Sequence, residues 1–284
     1  MSCGLVLEGG GVRGAYTAGV LDVLAREKLN FTTVYGISAG ACNALSFVSG
    51  QIGRNREIFA RFIQDKRYVS GGNLLRGGSM FGFDFIFGEL FHQLLPFDYE
   101  AFFSNPMGYQ AGATDLETGK IVFFSREELG KNMEAVRASS AQPFLSHPIR
   151  FQGKRLLDGS VAQAIPLRRA EEDGCQKNVV VLTRDDSYRK SEKPEYPRPV
   201  IRARYWRSPA FAEALCRRGE VYNALRAECI QREKSGSAIV IRPSSPITMS
   251  GFCRDPAQLM EVYAMGVQDA GNRLAEIREF MSVL

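Results

Sequence analysis

The sequence predicts an α/β fold built on a mainly parallel sheet, and three observations carry that prediction. Short apolar runs alternate along the chain with segments of helical spacing. Two of those runs, residues 4–7 and 31–35, pass through a glycine-containing turn straight into a helix. A third, residues 178–183, reads Asn-Val-Val-Val-Leu-Thr, the unbroken apolarity of a strand buried on both faces of a parallel sheet. With 284 residues the chain can bury a substantial core, and its 45% hydrophobic and 24% charged content is that of an ordinary globular protein.

The first element, Gly4-Leu5-Val6-Leu7, runs into Glu8-Gly9-Gly10-Gly11-Val12-Arg13-Gly14. Residues 15–29 follow with Val20, Val23, Leu24 and Ala25 on one helical face. Because the opening residues lack a basic stretch and reach the glycines after a few apolar positions, they are read as a strand and not as a signal peptide. Gly9, Gly11 and Gly14 have the Gly-x-Gly-x-x-Gly spacing, but a dinucleotide site needs an acidic residue at the end of the second strand. That strand ends at Gly36-Ile37-Ser38 instead. The other chemical use of such a loop is an oxyanion hole. The N–H groups of Gly9, Gly10 and Gly11, with the positive end of the next helix, would point at a carbonyl oxygen becoming negative. The plainest reading is a tight turn that lets helix and strand pack.

The second strand–turn–helix unit carries Gly36-Ile37-Ser38-Ala39-Gly40, followed by Ala41 and Ala44. Gly36 and Gly40 suit a turn in which the serine adopts a strained backbone, and small neighbours let a substrate carbonyl reach its hydroxyl. Ser38 is therefore read as a nucleophile.

Residues 54–65 form an amphipathic helix with Ile58, Phe59, Phe62 and Ile63 as its apolar stripe. Residues 70–79 are glycine-rich and loop-like. Phenylalanine then alternates with other residues from Phe81 to Phe87, and eight of the 19 phenylalanines fall between positions 81 and 103. This is either a core strand or satellite apolar cluster, or a cap, acyl-chain wall or interfacial surface over the site. Residues 108–114 and 120–124 read as a hairpin whose turn holds Asp115. Ser125-x-x-Glu128 is a capping box opening a helix to about residue 138, which Ser139-Ser140-Ala141-Gln142-Pro143 terminates. A short strand then delivers Asp158 into the turn Asp158-Gly159-Ser160. Residues 187–209 carry four prolines and read as an irregular connection. Six arginines against the single acid Glu213 mark residues 198–218, a solvated face or a headgroup contact. A helix at 209–232, a strand at 238–242 and a final helix at 255–280 complete the pattern.

A serine hydroxyl needs a neighbour to accept its proton. The chain has two histidines, His92 and His147, and both precede Asp158, so the order Ser, acid, His is not available. A triad would have to recruit Asp65, Asp84 or a similar early acid with one of them. The remaining arrangement is a direct pair in which a carboxylate at a strand end takes the serine proton and returns it to the leaving alcohol.

Taken together, Glu8-Gly9-Gly10-Gly11-Val12-Arg13-Gly14, Gly36-Ile37-Ser38-Ala39-Gly40 and Asp158-Gly159-Ser160 resemble the three signatures of the patatin-like phospholipases, in order, over roughly residues 4–185. The resemblance implies a three-layer α/β/α sandwich with a patatin-like topology and lipid acyl hydrolase activity through a Ser-Asp dyad. It makes Ser38 the nucleophile, Asp158 the general base and Gly9 to Gly11 the oxyanion hole, with Arg13, Gly14, Gly36, Gly40 and Gly159 as supporting motif positions. Two positions depart from the pattern: Glu8 opens the first loop where Asp or a small residue is usual, and Ser160 stands where Gly or Ala is typical. Ser160 is expected to hydrogen-bond Asp158 and lower its basicity.

The expected organisation is a catalytic core at 1–185 and an extension at 186–284 packed on it. The expected partner is a lipid or ester substrate, with no cofactor and no metal. The net charge of +5 permits peripheral contact with an anionic membrane, and no motif points to nucleic acid. Six dispersed cysteines without a Cys-x-x-Cys pair, and no apolar run near the roughly 18 residues of a spanning helix, lead to an expectation of a cytoplasmic, membrane-peripheral location. The non-enzymatic alternative is a lipid-binding or regulatory protein on the same fold.

Overall fold

Eight strands form one sheet in a computed structural model that describes residues 2–282. They are β1 Cys3–Leu7, β2 Thr33–Ile37, β3 Gly108–Asp115, β4 Ile121–Ser125, β5 Ile149–Phe151, β6 Lys154–Asp158, β7 Lys177–Val181 and β8 Ala238–Ile241. Their order is β5-β6-β3-β2-β1-β7-β8, with β4 antiparallel to β3. The run from β3 through β2, β1 and β7 to β8 is parallel.

The period-2 alternation of β1 divides its side chains between two cores. Leu5 and Leu7 face helix α1 (Gly14–Arg26), helix α2 (Ala39–Val48) and the helix Pro256–Asn272. Val6, with Tyr35, Val180 and Leu182, packs on the opposite side against Leu167, Tyr222, Leu225 and Cys229 of the helices Leu167–Glu172 and Arg218–Lys234. The result is a sheet with helices on both faces, the three-layer arrangement expected. Residues 186–282 add β8 to that sheet and lay the helix Pro256–Asn272 along α1. The two helix backbones touch where neither carries a side chain, because Gly19 faces the carbonyl of Tyr263 and Gly266 faces the carbonyl of Tyr16. Two buried hydrogen bonds lock the crossing: Tyr16 donates to Asp269 at 3.0 Å and Tyr263 to Asp22 at 2.6 Å.

Several local expectations are corrected. Residues 70–79 are not all loop: Gly71–Gly77 is a helix, because the Ser70 hydroxyl accepts the Asn73 amide at 3.2 Å and Gly78, at φ +70°, ends it. The phenylalanine alternation is not a strand. Phe85–Leu94 is a π-helical segment, and Phe83, Phe87 and Phe91 meet in succession with centroids 6.3 and 5.1 Å apart. The capping box at Ser125 forms, but it opens only the turn Arg126–Glu128, since positive φ at Gly130 and Met133 delays the helix to Glu134–Ser139. The helix expected at 209–232 breaks at Arg217 into Pro209–Cys216 and Arg218–Lys234, and the last one breaks at Arg273 into Pro256–Asn272 and Leu274–Ser282. Within the proline-containing connection, Arg198–Arg204 is helical. Cysteines 3, 42, 175, 216, 229 and 253 are all free, and no helix among the described residues is long and apolar enough to cross a membrane.

The crossing gives a direct test. Gly19→Ala forces α1 off its partner and is expected to cost about 1–3 kcal/mol, a fall in Tm of several °C. Gly271→Ala, whose added methyl meets open space on the same partner helix, is expected to leave Tm unchanged or slightly raised. Equal melting of the two variants would refute the tight crossing.

Candidate active site

Ser38 and Asp158 are 120 positions apart in sequence, and strand register brings them together. β2 pairs with β3 up to Ile37 opposite Gly112. β6 pairs with the next residues, placing Asp158 opposite Ala113. Because β4 occupies the other edge of β3 at these positions, β2 and β6 abut end to end on one edge. Ser38 follows the last residue of β2, and Asp158 is the last residue of β6. Gly159 sits at the junction, where any Cβ would run into the carbonyl of Gly112.

Ser38 has φ +52° and ψ −119°, a backbone that a side chain rarely tolerates. Close packing imposes it: a Cβ on Gly36 would lie 2.5 Å from the backbone of Ala41, and one on Gly40 would lie 2.5 Å from the carbonyl of Leu7. The strained amide is also held, because Ser38 N–H donates to the Ser139 hydroxyl at 2.8 Å and Ser139 donates to the carbonyl of Gly112 at 2.6 Å. The Ser38 hydroxyl donates to Asp158 Oδ2 at 3.0 Å, and both residues are buried.

The carboxylate is fixed from several sides. Its Oδ1 accepts the Ser160 amide at 2.8 Å, its own amide donates to Ala141 and its carbonyl accepts the Thr114 hydroxyl at 2.9 Å. Burial pushes the Asp158 pKa above its ordinary value, while Arg218, Ser160 and Ser38 oppose the rise. As expected, the Ser160 side chain lowers the Asp158 pKa; its hydroxyl also accepts Arg218 Nη2 at 2.6 Å, and the Ser160 carbonyl accepts Arg218 Nε at 3.2 Å.

The three glycine amides are not equivalent. Gly9 N–H donates to the carbonyl of Ala164 at 3.1 Å, and Val12 N–H donates to that of Gly251 at 3.3 Å. Among the described residues Gly10 and Gly11 N–H have no partner, so they are the donors that a ligand could use. Glu8, buried beneath them, accepts the Thr183 amide through Oε2 and so joins the end of β1 to the end of β7. Gly14 starts α1, and its carbonyl accepts the side-chain amide of Asn43 in α2 at 2.7 Å. The histidines are elsewhere: His92 stacks on Tyr99, His147 lies against Gly78, and neither hydrogen-bonds Ser38 or Asp158.

An apolar pocket of about 80 Å³ opens on Ser38 and is lined by Ile58, Phe59, Phe81, Phe83, Phe87 and Phe91. Arg54 is buried in its wall, over the Phe91 ring at 4.4 Å and bonded to the carbonyl of Leu95 at 2.9 Å, and burial lowers its pKa to about 10. Cys42 also lines the pocket, but burial pushes its thiol up to about 11, which disfavours a competing thiolate. Three side chains of this site carried no sequence signal of their role. Ser139 read as a helix terminator, Arg218 as part of a basic run that was either a solvated face or a headgroup contact, and Arg54 as the start of an ordinary amphipathic helix.

Residues 5–171 match the family model described as patatin-like phospholipase. That is more than half of the chain, and the chain belongs to this family. Residues 208–282 match a domain of unknown function, DUF6363. The uncharacterized protein YjjU of Escherichia coli is 32% identical over 193 residues, covering 63% of this chain and 51% of its own length. Lysophospholipase NTE1 of Cryptococcus neoformans is 29% identical over 190 residues, 63% of this chain and 11% of that protein. The chain thus spans about half or less of the length of these curated relatives. Among solved structures, VipD of Legionella pneumophila aligns with a TM-score of 0.48 at 14% identity over 97% of this chain and 67% of that one.

The Ser139 bridge is testable without an activity assay. Ser139→Ala leaves the buried Ser38 amide without its acceptor and is expected to lower stability by about 1–3 kcal/mol, read as a reduced urea midpoint with unchanged slope. A change below about 0.5 kcal/mol would mean that the bridge does not hold the turn.

Proposed function

We propose that this patatin-like phospholipase family member is a serine lipid acyl hydrolase, a carboxylic ester hydrolase working through the Ser38–Asp158 dyad. The observation that carries the reading is the 3.0 Å hydrogen bond from the Ser38 hydroxyl to a buried, oriented carboxylate at the mouth of an apolar pocket. Asp158 takes the proton as Ser38 Oγ attacks the ester carbonyl. The oxygen that becomes negative is received by the N–H groups of Gly10 and Gly11, and each such donor is worth about 3 kcal/mol in comparable sites. Asp158 then gives the proton to the departing alcohol. Water, deprotonated by the same carboxylate, attacks the acyl-Ser38 ester and releases the fatty acid, and the proton returns to Ser38. The phenylalanine-lined pocket holds the acyl chain, which is the wall reading of that cluster. Contact with an anionic membrane surface through the basic segment is consistent with a substrate that resides there.

Ser38→Ala and Asp158→Asn are each expected to reduce hydrolysis of a short p-nitrophenyl ester by at least about 10³-fold in folded protein. A fluorophosphonate should label wild type and not Ser38→Ala. Turnover retained in folded Ser38→Ala would disprove the assignment.

The pH profile carries a second test. Asp158 serves as base only when ionised, and burial raises its pKa above the ordinary aspartate value of 3.8. Activity should therefore be lost as pH falls through that raised value, at a higher pH than an exposed aspartate would give. Arg218 favours the ionised form, so Arg218→Gln should move the acid limb of kcat/KM to still higher pH. An unmoved limb would show that Arg218 does not tune the base.

A further inference from the structure

A second pocket, polar where the first is apolar, lies on the other side of the glycine loop. Gly9 and Ser160 form part of its wall, and Arg13, Arg184, Lys190 and Arg218 line it. It encloses about 50 Å³, several times the roughly 10–15 Å³ that one water needs. The four cations converge from separate places: Arg13 from the turn before α1, Arg184 and Lys190 from the connection after β7, and Arg218 from the start of the helix Arg218–Lys234.

Their charges are poorly balanced. Lys190 and Arg218 share one carboxylate, Glu195, at 2.9 and 3.4 Å, and that side chain is 53% exposed. Among the described residues Arg13 and Arg184 make no ion pair. Arg184 donates to the carbonyl of Ile247 at 3.0 Å and stacks on Tyr188, while Arg13 Nε is buried with no hydrogen-bond partner. Glu8, the carboxylate of the pocket itself, is engaged by the Thr183 amide, and burial shifts it toward the neutral acid. Burial and then Arg184 pull the Arg13 pKa down, and burial and then Arg218 do the same to Lys190. Like charges held this close in a desolvated pocket repel, and an anion bound among them would relieve the repulsion.

We propose that this pocket binds a phosphoryl group, held by Arg13, Arg184, Lys190 and Arg218. Planar guanidinium groups pair with two phosphoryl oxygens at once, and a lysine adds a point charge. Donors arriving from several directions suit a tetrahedral group with three outer oxygens better than a flat carboxylate. Arg184, Lys190 and Arg218 lie outside residues 5–171, so the site is completed by chain beyond the matched family segment.

Calorimetric titration with inorganic phosphate at constant ionic strength should show saturable binding to wild type and equally to Ser38→Ala, because the pocket does not use the serine hydroxyl. Arg184→Gln and Lys190→Gln should each weaken it about ten- to a hundredfold, and Arg198→Gln, an exposed arginine outside the pocket, should not. Glycerol 3-phosphate separates the sources of the ligand. Tighter binding than inorganic phosphate assigns the site to the phosphate of a lipid headgroup, and equal or weaker binding assigns it to free phosphate. No saturable binding to wild type, or affinity unchanged in both Arg184→Gln and Lys190→Gln, would overturn the proposal. Since an inactive serine variant is titrated too, a failed hydrolase assignment leaves this result standing, and a failed titration leaves the ester assay standing.

Discussion

Two strands share one edge of β3, and the geometry of the site depends on that sharing. Were β2 longer by a residue or two, β6 could not pair where it does, and Asp158 would be carried away from Ser38. As it stands, backbone hydrogen bonds fix the end of each strand, so the two side chains are set by sheet register and not by their own flexibility. The base role proposed for Asp158 needs this. Without an imidazole to bridge a gap, the oxygen must already lie at hydrogen-bond distance, and a small misplacement is costly.

The same register sets the electrostatics. Asp158 is buried because it lies at the inner end of a strand, and burial alone would favour its neutral form. The environment answers with donors: the Ser160 amide, the Ser38 hydroxyl and, one residue further out, Arg218 bridged through Ser160. The carboxylate is thus poised between desolvation and positive charge, the condition under which a proton can be taken and returned. Arg218 lies at the start of a helix that also packs on the sheet face opposite α1 and α2. Its position is therefore tied to a core distant from the apolar pocket.

Most of the frame was legible in the sequence because it rests on short-range rules. Glycines at strand–helix turns, an Asp-Gly turn and unbroken apolar strands are local signals, and the Gly9–Gly11, Ser38 and Asp158 segments all stand at strand ends on one side of the sheet. What the sequence hid were long-range partners. Ser139 lies about a hundred positions from the amide it accepts, Arg218 sits in a run whose other arginines are solvated, and the Gly9 amide is taken by Ala164. No spacing rule encodes such contacts. The phenylalanine alternation misled for a different reason. A period of two suggests a strand, but the segment winds as a helix, π-helical from Phe85, in which Phe83, Phe87 and Phe91 meet in succession, and tertiary packing decided between them.

The hydrogen bond from Val12 to Gly251 has a consequence for the order of events during synthesis. The glycine loop emerges from the ribosome first, yet one of its anchors is a carbonyl made some 240 residues later, and the helix that clasps α1 comes later still. β1 likewise waits for β7 before both of its edges are paired. The nascent chain therefore carries its glycine loop long before the carbonyl that anchors it, and this loop reaches its final form only after Gly251 has left the tunnel.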